Sequence, residues 1–238
     1  MTKSKFMLCA VSVAVLLSIA TLGKVGAHGD VAPQAVDISG LPTLGEEWLE
    51  ENPWRDPEGE YWKRAIEVGS SGYNSNCARC HGLGAVSGGL APDLRYLSAD
   101  IDGDEWYVER YINGYTQGGI TKMPAFGELL GQEAAWAIRT YLETRPDTDM
   151  LADHTPALTD IRDKLTALAG EQKTVSELEA DVASLKASME DIASKIESAS
   201  GAPVADSVAS KAAAELDGSD GSVARAAETL KVGLSAAK

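Results

Sequence analysis

Three side chains within five positions carry the most specific chemistry in this chain: Cys77, Cys80 and His81, in the run Cys77-Ala78-Arg79-Cys80-His81. Residues three apart share a helix face. Two thiols so placed can add to the vinyl groups on one porphyrin edge, and the adjoining imidazole can then bind the iron from below. The run reads as the attachment site of one covalent c-type haem, with Cys77 and Cys80 as thioether donors and His81 as an axial ligand. A zinc site would need a second ligand pair at comparable spacing, and a thioredoxin-like dithiol would need a strand in front of it; the sequence offers neither. The remaining cysteine, Cys9, lies in an N-terminal apolar segment.

An iron that only carries electrons needs its sixth position filled by a ligand that stays in place in both oxidation states. Met123, in Ile120-Thr121-Lys122-Met123-Pro124-Ala125-Phe126-Gly127, is the candidate for that second metal bond. A residue before proline is held out of the helical region, so Met123 is expected on an extended loop, free to turn its sulfur toward a ligand. A thioether is soft and neutral, favours ferrous iron and raises the reduction potential relative to two histidines. Core packing is the usual fate of a methionine and stands as the alternative. Met1 and Met7 precede the mature chain, while Met150 and Met189 lie beyond the last helix of this region. The rival histidine, His154, is expected to be exposed at a boundary. His28 is expected at the mature N-terminus, where a stray metal would be incidental.

The elements that must position these groups are helical. A helix from about Glu60 to Tyr73, with Tyr61, Ala65, Val68, Gly69 and Tyr73 on one face, delivers the chain to the cysteines. After His81, Gly82, Gly84, Gly88 and Gly89 let backbone run close to a flat porphyrin, and the absence of a Gly-Lys-Ser/Thr ending excludes a phosphate-binding loop. A carbonyl near Pro92 is well placed to accept the other imidazole proton of His81. A second helix is expected over Asp102–Asn113 and a third over Gln132–Thr144, the last ended by Pro146.

Flanking this region, residues 1–27 read as a secretory leader: Lys3 and Lys5, an apolar run from Phe6 to Ala20, then Val25-Gly26-Ala27 before a cut. An uncleaved anchor is the alternative, since the run approaches spanning length; after cleavage no membrane span remains. Residues 28–59 form an irregular arm rich in Pro, Gly and acids, with Trp48 and Trp54 expected to cover a core. Residues 60–146 form the haem domain. From residue 147 to 238 aromatics and cysteines vanish, and an acidic, Ala-rich helical extension follows. In it Thr155-Pro156 reads as a helix start, with Leu158, Ile161, Leu165 and Leu168 along one seam. Thr174 and Glu177 make a capping box before Leu178, Val182, Leu185, Met189, Ile192 and Ile196. The seam implies a helical hairpin or coiled-coil strand, with self-association or a flexible appendage as alternatives. Two short Ala-rich helices follow, separated by Gly218-Ser219-Asp220-Gly221.

The formal charge is −15, and the leader holds three lysines and no acid, so its removal takes the charge to −18. Such a surface repels nucleic acid and anionic lipid. Partners are expected to be neutral or basic at the docking face, or to bind an apolar patch; the alternative is that the charge excess serves solubility.

Gly69 and Tyr73 ahead of the Cys-x-x-Cys-His run, Pro92-Asp93-Leu94 after the loop, Met123-Pro124, and a final helix with Trp136 and Tyr141 together resemble the class I c-type cytochromes. More narrowly, Glu47-Trp48-Leu49-Glu50-Glu51-Asn52-Pro53 and Asn76-Cys77-Ala78-Arg79-Cys80-His81-Gly82 resemble periplasmic cytochromes that take electrons from pyrroloquinoline-quinone alcohol dehydrogenases. The resemblance spans about His28 to Arg145 and leaves the extension outside it; Ala91 stands where many members have glycine. It implies a mainly α, class I cytochrome c fold around one haem c, with Gly69 letting the first helix approach an aromatic of the last, such as Trp136. The implied role is a one-electron carrier in the periplasm, not an enzyme. Its donor would be a quinoprotein alcohol dehydrogenase and its acceptor a downstream cytochrome or oxidase. Alternatives are a general donor to an oxidase, or a haem domain tethered to a partner by its tail. A peroxidase or gas-binding protein would need an open sixth site, against which Met123 argues.

Overall fold

The computed structural model of the chain describes residues 32–171 and 178–236. The expected leader, His28 and the Thr174–Glu177 capping box lie outside them. Helix α1 (Trp62–Asn76) buries Ala65, Val68, Gly69, Gly72 and Tyr73, a stripe at three- and four-residue steps. After a kink at Cys77, one further turn, α2 (Ala78–His81), holds the rest of the cysteine–histidine motif. Helix α3 (Ile101–Asn113) starts at Asp100, whose carboxylate accepts from the Gly103 N–H, and carries Asp102 and Asp104 in its first turn, where the helix dipole favours acids. A two-stranded antiparallel hairpin follows, β1 (Tyr115–Gln117) with β2 (Ile120–Met123). Helix α4 (Gly127–Glu143) is broken at Gly131, whose φ of 77° leaves the regular part starting at Gln132, as the sequence suggested.

Helices α1 and α4 cross at Gly69. A Cβ there would lie 1.9 Å from the Ala137 carbonyl oxygen and 2.8 Å from Tyr141 Cβ, so glycine is required by the crossing itself. The close approach is thus to an aromatic of the last helix, as expected, but it is Tyr141, with the Ala137 carbonyl, and not Trp136; the indole packs beside the crossing with Trp54, Ala65 and Val68. Every residue of α4 from Ala134 to Glu143 is buried, because the arm, α1, α3 and the extension each cover part of it.

The arm is irregular over its described residues and is held by side chains of α4. Gln132 Nε2 donates to the carbonyls of Gly45 (2.6 Å) and Glu47 (3.0 Å), and Glu133 accepts from the Leu44 N–H at 2.9 Å. Trp54 is buried, and Trp48 packs at 6.2 Å from the Tyr111 ring, so the two tryptophans cover the core. Beneath them lies a buried charge network. Asp104 takes both Arg55 Nη2 (2.7 and 2.8 Å) and Arg139 Nε (2.8 Å), while Glu143 accepts from Asn52 Nδ2 at 2.9 Å and from Arg55 at 3.2 Å. Burial pushes the Glu143 carboxyl upward, against the pull of Arg139 and Arg55.

The extension closes differently from the expected hairpin or coiled-coil strand. Its described helices are α5 (Thr148–Ala169), α6 (Glu179–Ala193), α7 (Val208–Glu215) and α8 (Ser222–Ala236), which share one core. The alanines of α7 and α8 are the reason: Ala209, Ala212, Ala213, Ala226 and Ala227 are buried with Leu230 and Leu234, giving the α5–α6 seam a second half. Their small side chains let helices approach closely. Helix α5 also begins earlier than Pro156 suggested. Asp147 caps it by accepting from the Asp149 N–H at 2.7 Å, and Pro156 sits in its interior. The carbonyl that loses its partner there belongs to Ala152, an exposed residue, so water can replace the missing N–H.

The segment between α6 and α7 straps the extension to the body. Asp147 N donates to Glu197 O (2.8 Å), Ala99 N to Ser200 O (2.9 Å), Ser200 Oγ to Glu143 O (2.5 Å) and Ala205 N to Thr144 O (3.2 Å); Arg145 pairs with Asp206 at 2.7 Å.

Candidate haem site

The motif is a continuation of α1. Cys77 N donates to Tyr73 O at 2.8 Å, then Cys80 N and His81 N both reach back to Cys77 O at 3.1 and 3.0 Å. The two thiols, three positions apart on this turn, are free of any disulfide and half-buried. Gly82 ends the turn with φ 87°, and a Cβ there would meet Val86 O at 1.8 Å; only glycine allows the loop to fold back under the motif. Tyr73 Oη donates to Gly82 O at 2.7 Å and pins that reversal.

His81 is 8% exposed, and its Nδ1 lies 2.8 Å from Pro92 O. A carbonyl can only accept, so Nδ1 carries the proton and Nε2 keeps its lone pair. Burial lowers the pKa of the ring, opposed by the Pro92 carbonyl and Asp93, which keeps the imidazole neutral and able to bind a metal. The Pro92 hydrogen bond anticipated from the sequence is therefore present. Burial, with Cys80 nearby, pushes the Cys77 thiol up to about 12. Burial raises Tyr73, Tyr107 and Tyr111 as well, and Cys77 packs against the cluster that these rings build.

Met123 ends β2 rather than an open loop. Its carbonyl is crowded by Gly114, where a Cβ would lie 2.5 Å away, and its strand pairs it with Tyr115. The hairpin turn is Gly118-Gly119, with φ 58° and 75°, the pair of positive values that a two-residue turn requires. Met123 is half-buried and packs against the cluster of Tyr73, Tyr107, Tyr111 and Phe126 that Cys77 also touches. Cys77 and Met123 thus pack against one aromatic cluster, and Cys80 and His81 sit on the turn that follows Cys77. Tyr111 Oη, buried in that cluster, has no hydrogen-bond partner among the described residues. The donor set and its surroundings fit a covalently held haem. His154 is half-buried on α5 rather than exposed, and Met189 is buried in the extension. Among the described residues no group of three His, Cys, Asp or Glu side chains could hold a separate metal ion.

Two features escaped the sequence reading: the buried Arg55–Asp104–Arg139–Glu143 network, and Arg95, which joins the loop after His81 to the extension. Arg139 and Glu143, an opposite-charge pair four apart within an otherwise apolar run, were the available signal for the first.

Cytochrome c550 of Pseudomonas aeruginosa is 55% identical over 118 residues, covering 50% of this chain and 81% of that protein. The chain belongs to the class I c-type cytochromes. It is an electron-transfer cytochrome with a class I cytochrome c fold and a covalently attached c-type haem. Residues 64–142 of this cytochrome match the family described as cytochrome c oxidase, cbb3-type, subunit III. Two proteins of Pseudomonas putida match more locally. Quinohemoprotein alcohol dehydrogenase ADH IIB is 33% identical over 94 residues, 39% of this chain and 13% of that protein. Quinohemoprotein alcohol dehydrogenase ADH-IIG is 35% identical over 81 residues, 34% and 11% respectively. No solved structure matches. No helix among the described residues is long and apolar enough to cross a membrane.

Proposed function

We propose that this cytochrome is a periplasmic one-electron carrier that accepts electrons from a quinoprotein alcohol dehydrogenase and passes them to a downstream cytochrome or oxidase. The observation that carries the residue roles is the His81 geometry: a buried imidazole held at Nδ1 by Pro92 O, one residue from a thiol on the same turn. Cys77 and Cys80 would hold a haem through thioethers, and His81 Nε2 and the Met123 sulfur, at the end of the hairpin, would bind its iron. Bound haem supplies one-electron chemistry at iron. The chain excludes water with Tyr73, Tyr107, Tyr111 and Phe126, holds the imidazole in one tautomer, and presents a neutral sulfur that favours the ferrous state.

The donor assignment rests on the two quinohemoprotein alcohol dehydrogenases. A segment like this domain occurs within proteins of that name, so a carrier of the same type is suited to the same electron source. Leu83 and Ile120, exposed two residues after His81 and three before Met123, offer apolar side chains on an otherwise acidic chain. Residues 1–27 as a cleaved leader would take the chain to the periplasm.

Stopped-flow reduction of the oxidised protein by a quinoprotein alcohol dehydrogenase tests the reading. Fast reduction that requires alcohol and saturates with dehydrogenase is the expected result. A methionine-ligated spectrum that stays oxidised would remove the donor and leave an oxidase as the direct partner, the role that the cbb3-type description of the matching family favours. Met123→Ala is expected to keep the haem attached, lower the potential and open the iron to cyanide; an unchanged potential would remove Met123 from the ligand set.

A further inference from the structure

Arg95 is 4% exposed, and its guanidinium divides between two parts of the molecule. On one side Nε and Nη2 grip the two oxygens of Asp93 at 2.9 and 2.6 Å, and the Arg95 backbone N–H donates to the same carboxylate at 3.1 Å. On the other side Nη1 donates to Pro146 O at 3.3 Å and to the Thr148 hydroxyl. Asp93 directly follows Pro92, whose carbonyl accepts from His81 Nδ1. Asp93 also receives the Ser87 N–H at 3.2 Å, so this carboxylate is the knot of the loop that fixes the Pro92 carbonyl. Thr148 opens α5, and the neighbouring Asp147 N–H is bonded to Glu197 of the strap, so Thr148 is positioned by the extension and not by the haem domain alone.

We propose that Arg95 is a positioning residue that couples docking of the C-terminal helical unit to the hydrogen bond on the axial imidazole, so that the extension sets part of the haem's reduction potential. A firm bond from Nδ1–H to the Pro92 carbonyl increases the basicity of Nε2 and stabilises ferric iron. When the Asp93–Arg95 fork loses its anchor on the extension, the Pro92 carbonyl is held less firmly, the bond weakens and the potential rises. Arginine suits this place because its planar fork can hold a carboxylate with one edge while the remaining nitrogen reaches a second acceptor; lysine has no such second edge. The proposal rests on His81 as axial ligand.

The test compares full-length holocytochrome with Thr148→Val, Thr148→Ser and Arg95→Gln, measuring midpoint potential and the proton resonances of histidine-labelled, oxidised protein. Thr148→Val is expected to raise the potential and move the His81 ring and Nδ1–H resonances, Thr148→Ser to restore both, and Arg95→Gln to shift both further the same way. A role confined to stability would lower the melting temperature and leave the potential and the His81 resonances where they are; that result in Thr148→Val and Arg95→Gln overturns the proposal. If Arg95→Gln yields no holoprotein, the Thr148 pair decides alone. His81 resonances without paramagnetic shift in every variant would remove the ligand assignment beneath the proposal, whereas paramagnetically shifted resonances identical in wild type and Thr148→Val overturn the coupling only.

Discussion

The haem domain and the extension solve the same problem, burying helices, with different side chains. The domain's core is built on Tyr73, Tyr107, Tyr111, Phe126 and Tyr141 with a buried ion network beside it; the extension's is built on Leu, Ile, Val, Met and Ala with no aromatic ring. Rings give a large apolar area with a polar handle that needs a partner. Charges out of water need each other. The domain therefore depends on a few specific pairings and on its covalently attached haem. The extension depends on summed burial, about 25 cal/mol per Å² of apolar surface, spread over many interchangeable contacts. Among the described residues, its internal ion pairs, such as Lys164–Asp160 and Lys195–Asp191, lie near the surface, where each contributes at most about 1 kcal/mol.

The strongest way to break that contrast is to prevent haem attachment. In a Cys77→Ala/Cys80→Ala chain the domain is expected to lose its cooperative near-ultraviolet transition, a loss of at least about 4 kcal/mol by linkage to a tightly held group. Hydrogen exchange should still show protected amides in α5–α8. Simultaneous loss of protection in both regions would mean that one cooperative unit spans the chain. Next in size is Asp104→Ala, which leaves the buried Arg139 and the half-buried Arg55 without their shared carboxylate. It is expected to cost about 3–5 kcal/mol, against about 0.5 kcal/mol or less for Asp160→Ala on the surface of α5. Urea midpoints of the two variants check the ratio, and similar midpoints would show that the buried network is neutral.

These contrasts also explain what the sequence could and could not reveal. The turn that carries Cys77, Cys80 and His81, and the Pro92 carbonyl at His81 Nδ1, were legible because their spacing is local: three residues on one turn and a short loop after them. Helices α1, α3 and α4 followed from three- and four-residue apolar steps. The four-helix closure of the extension was not legible, because alanines in α7 and α8 are small enough to read as surface filler until opposing helices are seen on them. Pro156 misled because a proline signals a helix start only when nothing upstream caps the helix, and Asp147 does. The α1–α4 contact at Ala137 and Tyr141 depends on a crossing position that Gly69 marks on one helix only. The Arg95 bridge joins residues 51 and 53 positions apart, through a side chain whose type alone says nothing of its partner.

Both regions use a glycine for close helix contact, and the two glycines should respond unequally. At Gly69 the obstacle is the Ala137 carbonyl at 1.9 Å, backbone of a buried helix that cannot move without opening the domain core. At Gly233 it is Val208 Cγ2 at 2.1 Å, a side chain at the start of the short helix α7. Gly69→Ala is expected to destabilise by about 3 kcal/mol and Gly233→Ala by about 1 kcal/mol, the two ends of the overpacking range. Thermal melts of the two holoproteins measure this, and equal shifts would show that α7 is as constrained as α4.

A further modest effect lies where the regions meet, and it has a definite sign. Burial alone would raise the Asp93 pKa, but the Arg95 side chain and the N–H groups of Ser87 and Arg95 outweigh it and hold the carboxyl below its ordinary 3.8. The ionised form is thus favoured by folding. The stabilisation is complete above pH 3.8 and is lost as pH falls through the lower folded value. Glu143 has the opposite sign: burial raises its pKa above 4.5, so its contribution is fullest below that pH and declines as pH rises through the folded value. Asp93→Asn is therefore expected to cost up to about 1 kcal/mol at pH 7, the upper end for a partly exposed pair. The cost should shrink toward zero as pH falls below 3.8, where the wild-type carboxyl protonates. Urea midpoints for both proteins from pH 7 to pH 3 would show the two curves converging on the acid side; curves that stay parallel would mean that Asp93 holds its loop through shape and not through charge.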